Sequence, residues 1–224
     1  MPKSTARPDF SFLRERRAIL ATLAAGALPA RAQTATSRAR TPTQTLGPFY
    51  PRDASERPAE TDADLLQFSG ERLLSRGQPL FLSGRVLDLA GGPVTDARIE
   101  IWQCDANAVY HHPAGGAESE RDPHFQGYGS AAVDREGRYH FRTIRPVAYP
   151  GRTPHIHVRV HAGSRTLATQ LYLPDAPQNA RDFLYRQLSA QERQALALNL
   201  EPTKSSHPLA AGTEVSALVD LVLS

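Results

Sequence analysis

The sequence predicts a mainly β protein, a β-sandwich of mostly antiparallel strands with small helical additions. Three observations carry this. Short stretches with period-two alternation recur between residues 80 and 173. Polar, glycine-containing turn signals separate them, and helical periodicity is confined to two short stretches near the C-terminus.

The elements follow in chain order. Residues 33–45 (QTATSRARTPTQT) have no period and read as a flexible lead-in. Leu46–Pro51 (LGPFYP) sets two aromatics between prolines and reads as an extended segment docked on the body. Residues 52–78 are polar and broken, mainly loop with at most one short helix. Leu80–Leu89 and Ala97–Cys104 alternate around Gly91-Gly92-Pro93. Gly127–Val133 and Arg138–Ile144 flank Asp134–Gly137, where glycine supplies a positive φ. His155–His161 and Arg165–Leu173 flank Ala162-Gly163-Ser164. These three strand–turn–strand units read as hairpins. Asn179–Leu188 and Ala190–Leu198 are helical, with Ser189 an N-cap for the second. Thr213–Leu223 closes the chain as a strand or a short helix, and its pattern does not choose between them. No internal repeat is visible.

Composition bounds the function. A chain of 224 residues is long enough for one ordinary domain with its own core. Its single cysteine excludes an intramolecular disulfide scaffold and any multi-cysteine zinc site. No run of eighteen or more apolar residues occurs, so no membrane-spanning helix is predicted. The formal charge of +3 is uneven, because residues 1–32 hold six Lys/Arg against two acids. Of the chain's 26 basic and 23 acidic residues, 20 and 21 remain beyond that segment, which gives no case for nucleic-acid binding.

That first segment reads as an address. Arg16-Arg17 precedes the apolar run Ala18–Leu28, and Pro29 precedes the small-residue pattern Ala30-Arg31-Ala32. The expectation is a signal peptide over residues 1–32, export by the twin-arginine route to the periplasm, and a mature chain starting near Gln33. The competing reading, an amphipathic helix, lacks a polar face in Ala18–Leu28 and is cut by Gly26 and Pro29. The expected organisation is therefore leader 1–32, lead-in 33–45 and a sandwich domain over 46–224.

The chemistry gathers in Tyr149-Pro-Gly-Arg-Thr-Pro-His155-Ile-His157. Two histidines at i and i+2 of a strand share one face, while Ile156 and Val158 take the other. Paired imidazoles are half of a metal site; on pattern alone two solvated histidines on an exposed face are the commoner reading. No Asp or Glu lies within seven residues of the pair. A carboxylate-rich zinc or ferrous site thus has no local third ligand. Tyr149 and Tyr110 offer phenol oxygens, which ionise near pH ~10 unless a strongly Lewis-acidic ion such as Fe(III) binds them.

Taken together, Thr41–Pro51, Gly84–Tyr110, Phe125–Ile144, Pro146–His157 and Thr169–Leu173 resemble, in order, the motifs of the intradiol ring-cleavage dioxygenases, the family of protocatechuate 3,4-dioxygenase and catechol 1,2-dioxygenase. The resemblance covers roughly residues 41–185. It implies a β-sandwich oxidoreductase that places both atoms of O2 in a muconate-type diacid, with a catechol-type substrate and one non-haem Fe(III) per chain. The implied ligands are Tyr110, Tyr149, His155 and His157. Arg152 matches the active-site arginine, and Gln170 a polar residue near the iron. In the implied mechanism a catechol loses both protons and displaces Tyr149, which serves as base.

Two departures matter, the first bearing on specificity and the second against the catechol-type dimer mode. The stretch from Tyr149 to His155 is shorter than in protocatechuate enzymes, implying a more open pocket, and the long helical linker of catechol-type enzymes is absent. Two further readings stay open: a non-catalytic partner subunit or binding module, and an exported module that binds catechols; assembly as a homo- or hetero-oligomer stays open under each. Elsewhere, Trp102 reads as core packing or as a wall of the pocket, and Cys104 as a small buried hydrophobe. His111 and His112 read as neighbours of the ligands or as solvated, the second preferred, and His124, His140 and His161 as surface or packing residues. By resemblance, Pro48 and Tyr50 line the substrate mouth.

Overall fold

A computed structural model describes residues 37–69, 72–203 and 214–224. The expected signal peptide and the first residues of the lead-in lie outside these. A two-residue ladder, β1 (Phe68–Ser69) with β2 (Arg72–Leu73), precedes the sandwich. The sandwich is built from β3 (Pro79–Leu87), β4 (Ala97–Trp102), β5 (Tyr128–Ala132), β6 (Arg138–Ile144), β7 (His155–Ala162), β8 (Arg165–Tyr172), β9 (Glu201–Pro202), β10 (Val215–Leu218) and β11 (Leu221–Val222). In one sheet β3 is central, with β6 antiparallel on one side and β10 and β11 parallel on the other. The other sheet runs β5-β4-β7-β8, antiparallel throughout. Leu80, Leu82, Val86 and Phe141 of the first join Ile99, Ile101, Ile156, Val158 and Leu171 of the second in one core. Burying such rows from both inner faces is what drives the two sheets together.

The turn signals hold, but two of the three expected hairpins are not ladders. β3 and β4 belong to different sheets, and so do β5 and β6. The 134–137 turn is tight, with Gly137 N–H donating to Asp134 O at 3.0 Å and Gly137 at φ +72°. It turns a corner between sheets instead of closing a pair. Only β7 and β8 form a true hairpin, in register from His155↔Tyr172 to Ala162↔Arg165. Turn chemistry reverses a chain; the partner of each strand is set by which inner row it must complete.

The ambiguous C-terminus is strand, interrupted between Leu218 and Leu221, where the Asp220 carboxylate accepts the Arg85 backbone N–H. The expected helix 179–188 is broken in two. A 3-10 turn spans Pro177–Ala180, and α1 (Phe183–Gln187) starts afresh with Asp182 as its N-cap. α2 (Ala190–Ala195) has Ser189 as its N-cap, in a capping box with Glu192.

The described part of the lead-in is held rather than loose. Thr41 N–H donates to Val222 O, Gln44 N–H to Ala168 O, and Thr169 Oγ1 to Pro42 O. This strap lies over the outer face of the second sheet, and there Glu100, Trp102, His157 and Gln170, which alternate away from the core, are buried as well.

Candidate metal centre

Strand alternation delivers the two histidines. His155 and His157 point outward from β7 and are each 1% exposed beneath the strap. His155 Nδ1 lies 2.7 Å from Thr153 O, and because a carbonyl only accepts, that nitrogen carries the proton. The lone pair of His155 Nε2 is left facing His157 Nε2 at 3.1 Å and the Tyr110 hydroxyl at 3.4 Å. His157 is clamped between Trp102, stacked at 4.8 Å and 8°, and Gly47, where any Cβ would come within 3.2 Å of the imidazole Cε1. Its Nδ1 is buried with no partner among the described residues.

Tyr110 comes from the β4–β5 loop, which Asp105 organises. One carboxylate oxygen accepts the Asn107 and Val109 N–H groups, and the other accepts Asp122 N–H at 2.7 Å. The Tyr110 ring stacks on Phe49 at 4.2 Å. Tyr149 enters from the turn before β7, where Arg152 N–H donates to Tyr149 O at 2.9 Å and Gly151 takes φ +84°. Its ring centre is 5.5 Å from that of Tyr110 and 5.6 Å from that of His155.

Arg152 donates through Nε to Asp182 at 2.8 Å, through Nη2 to Gln170 Oε1 at 2.6 Å, and through Nη1 towards the Tyr149 hydroxyl at 3.5 Å. Gln170 in turn donates to Thr45 O. All six residues singled out from the sequence therefore meet at one place. A small cleft lined by Ala148, Tyr149, Gly151, Arg152, Gln178, Arg181 and Asp182 opens beside them.

Electrostatics suit a cation. Burial, with Arg152 adding to it, holds His155 down at about 3, and burial with neighbouring His155 holds His157 well below its ordinary value. Both imidazoles are thus neutral donors. Burial also pushes the Tyr110 and Tyr149 hydroxyls up, Arg152 opposing it in each case. These phenols ionise only if a positive centre outweighs the cost of burial. Among the described residues no group of three His, Cys, Asp or Glu could hold a metal. The donor set is two nitrogens plus phenol oxygens, which suits a hard, strongly Lewis-acidic ion.

Several neighbours went unread in the sequence. Tyr50 does not line the mouth; its hydroxyl donates to buried Glu100 behind Trp102, and Phe49 takes the place beside the site. Pro48 is exposed. His111 is not simply solvated, since it contacts Asp105 at 3.1 Å, and His112 is buried with Glu56 3.7 Å away. Asp182 and Thr153 carried no local signal. The aromatic pair within LGPFYP could have marked Phe49. Cys104 is a buried thiol pushed up to about 12 by burial, as packing requires.

Known proteins resemble this chain in sequence and in fold. A family model described as dioxygenase matches residues 46–221. The protocatechuate 3,4-dioxygenase beta chain of Burkholderia cepacia is 34% identical over 173 residues, covering 72% of this chain and 73% of that one. Catechol 1,2-dioxygenase of Candida albicans is 31% identical over 163 residues, and there the match spans 62% of this chain and only 49% of the relative. Among solved structures, the dioxygenase domain of a carbohydrate-binding fusion protein from Streptomyces sp. SirexAA-E is 30% identical, with a TM-score of 0.62 over 83% of this chain and 99% of that one. The chain belongs to the intradiol ring-cleavage dioxygenases, a family of oxidoreductases.

Proposed function

We propose that this protein opens a catechol-type ring between its two hydroxyl-bearing carbons with O2, giving a muconate-type diacid. Both oxygen atoms enter the product, so no external reductant is needed. The reading is carried by the convergence of two neutral imidazoles and two phenols in a buried place whose donor set has no carboxylate. Tyr110, Tyr149, His155 and His157 would hold a single non-haem Fe(III). That ion supplies the Lewis acidity that ionises phenols at neutral pH and makes a deprotonated catechol reactive towards O2.

The chain's own groups divide the remaining work. His155 and His157 stay neutral, each ring held by contacts behind it. Tyr110, stacked on Phe49, is the fixed phenol. Tyr149 borders the cleft and touches Arg152, so it is placed to take a proton from an entering hydroxyl. Arg152 faces the negative charge that grows on substrate in a site poor in water. Gln170 keeps the guanidinium turned that way. The leader pattern supports export through the twin-arginine route, and N-terminal sequencing of exported protein starting near Gln33 would support cleavage there.

Purified protein is expected to hold one iron per chain, to be wine-red from a tyrosinate-to-iron band, and to consume O2 with catechol, protocatechuate or hydroxyquinol. Colourless protein that binds no iron, or coloured protein that takes up no O2 with any of the three, overturns the reading.

A further inference from the structure

One buried carboxylate in the wall of the cleft touches none of the four candidate ligands directly. Asp182 is 1% exposed and accepts four hydrogen bonds, two on each oxygen. Oδ1 accepts the N–H groups of Leu184 and Tyr185 at 3.0 and 2.9 Å, which starts α1. Oδ2 accepts Arg152 Nε–H at 2.8 Å and Thr153 N–H at 2.9 Å. One oxygen serves the helix and the other serves the site loop.

The second pair of bonds reaches the chemistry from two directions. With Nε tied to Asp182 and Nη2 to Gln170, the planar guanidinium has little rotational choice, and Nη1 is left towards Tyr149. Thr153, held through its N–H, presents its carbonyl to His155 Nδ1 at 2.7 Å, which aims Nε2 inward. Thr153 Oγ1 is braced in turn by Asn179 at 2.6 Å. The charges fit this role. Burial alone would raise the Asp182 carboxyl, but the Tyr185 and Thr153 N–H groups and Arg152 hold it below the usual range, so it is an anion opposite the guanidinium. The side chains of the pair are 10% and 0% exposed. Loss of the carboxylate would leave a mostly buried cation without its counter-charge, free to turn towards solvent beside the exposed Phe183 ring.

We infer that Asp182 is a positioning residue, whose Oδ2 locks the Arg152 guanidinium and the Thr153 backbone together so that charge and imidazole arrive at the site in fixed relation. The inference rests on the reading of the site given under Proposed function. It is separable from helix capping, because a cap needs one acceptor oxygen and a serine supplies that.

Asp182→Ser keeps the capping oxygen and removes Oδ2. Asp182→Asn keeps Oδ1 but turns an NH2 towards two donors. For Asp182→Ser we expect a melting temperature within a few degrees of the parent, kcat lower by about 10- to 100-fold with KM little changed, and a shifted tyrosinate-to-iron absorption maximum. Asp182→Asn should lose at least as much. In an Arg152→Ala background Asp182→Ser should cost clearly less than in the parent, the remainder being the Thr153 bond that aims His155. In metal-free protein, the Arg152 Nε–H resonance should be protected from solvent exchange in the parent and exposed in the variant. A kcat within twofold of the parent overturns the inference, as do losses that multiply in the double variant or an Nε–H equally protected in both. So does a kcat loss that tracks a large drop in melting temperature and disappears on cooling. If the parent itself neither binds iron nor consumes O2, the proposed reaction falls, while the exchange measurement on metal-free protein still decides the role of Asp182.

Discussion

Two clusters on the outer face of the second sheet use nearly the same residue types and reach opposite ends. Below Trp102, Tyr50 and Tyr128 donate to the two oxygens of Glu100 at 2.8 and 2.9 Å, and His161 lies 3.4 Å from the same carboxylate. Above it, Tyr110, Tyr149, His155 and His157 meet with no carboxylate among them. In the lower cluster every hydroxyl has an acceptor. Burial would raise the Glu100 carboxyl, yet hydrogen bonds from Tyr50 and Tyr128 with His161 beside it hold it below the usual range. That network is closed. In the upper cluster the two Nε2 atoms face each other at 3.1 Å with the Tyr110 hydroxyl beside them and no carboxylate to close the network. Phenols and imidazoles therefore do not make a site by themselves. A central anion turns them into structure, and its absence leaves lone pairs that a cation can satisfy.

The comparison can be broken at either end. The largest effect is expected from His157→Ala or His155→Ala, which should weaken iron retention by at least about 100-fold while the apo-protein still folds, as read by elemental analysis after dialysis and by circular dichroism. Iron held at the parent level would show that the upper cluster is no metal centre. Next, Glu100→Ala should destabilise the iron-free protein by about 3 kcal/mol in urea unfolding, because two buried phenol hydroxyls lose their acceptor. The tyrosinate-to-iron colour should persist. Lost colour with unchanged stability would reverse the roles of the two clusters.

Acid offers a third, smaller lever. With the native Glu100 carboxyl below its unfolded value of ~4.3, the unfolded chain binds more protons between the two, so this contribution is complete above pH ~5 and is lost as pH falls through the native value. The stability gap between the parent and Glu100→Gln should be constant above pH 5 and shrink below pH 4; a gap that widens on acidification would contradict the assignment. The smallest effect belongs to Gly47→Ala. With φ at +73° and a Cβ 3.2 Å from His157 Cε1, alanine should cost about 1–2 kcal/mol and quicken iron release without abolishing binding. An unchanged melting curve and release rate would free His157 from that clamp.

Much of this was legible in the residue pattern. Alternation located β3 to β8 to within a few residues, the i, i+2 histidines shared a face as expected, and Ser189 capped its helix. Motif order singled out Tyr110, Tyr149, Arg152 and Gln170 from three separate stretches. The misses share a cause. The 91–93 and 134–137 turns look like the 162–164 turn because local chemistry is the same whether the next strand pairs or crosses to the other sheet. Tyr50 and Phe49 are adjacent aromatics, and only the docked strap decides which faces Glu100 and which faces Tyr110. Asp182 lies thirty residues beyond Arg152 and, to local inspection, lay inside a single expected helix.

The sequence by itself determined the strands β3 to β8, the shared face of His155 and His157, and which side chains could donate to a hard cation, since these depend on period two and on functional groups carried by single residues. Only the tertiary structure decided sheet membership, the burial of the lead-in over the outer face, and the closing of Asp182 onto Arg152. These depend on energy gained between distant segments, where burying one row or pairing one charge selects among arrangements that look alike along the chain.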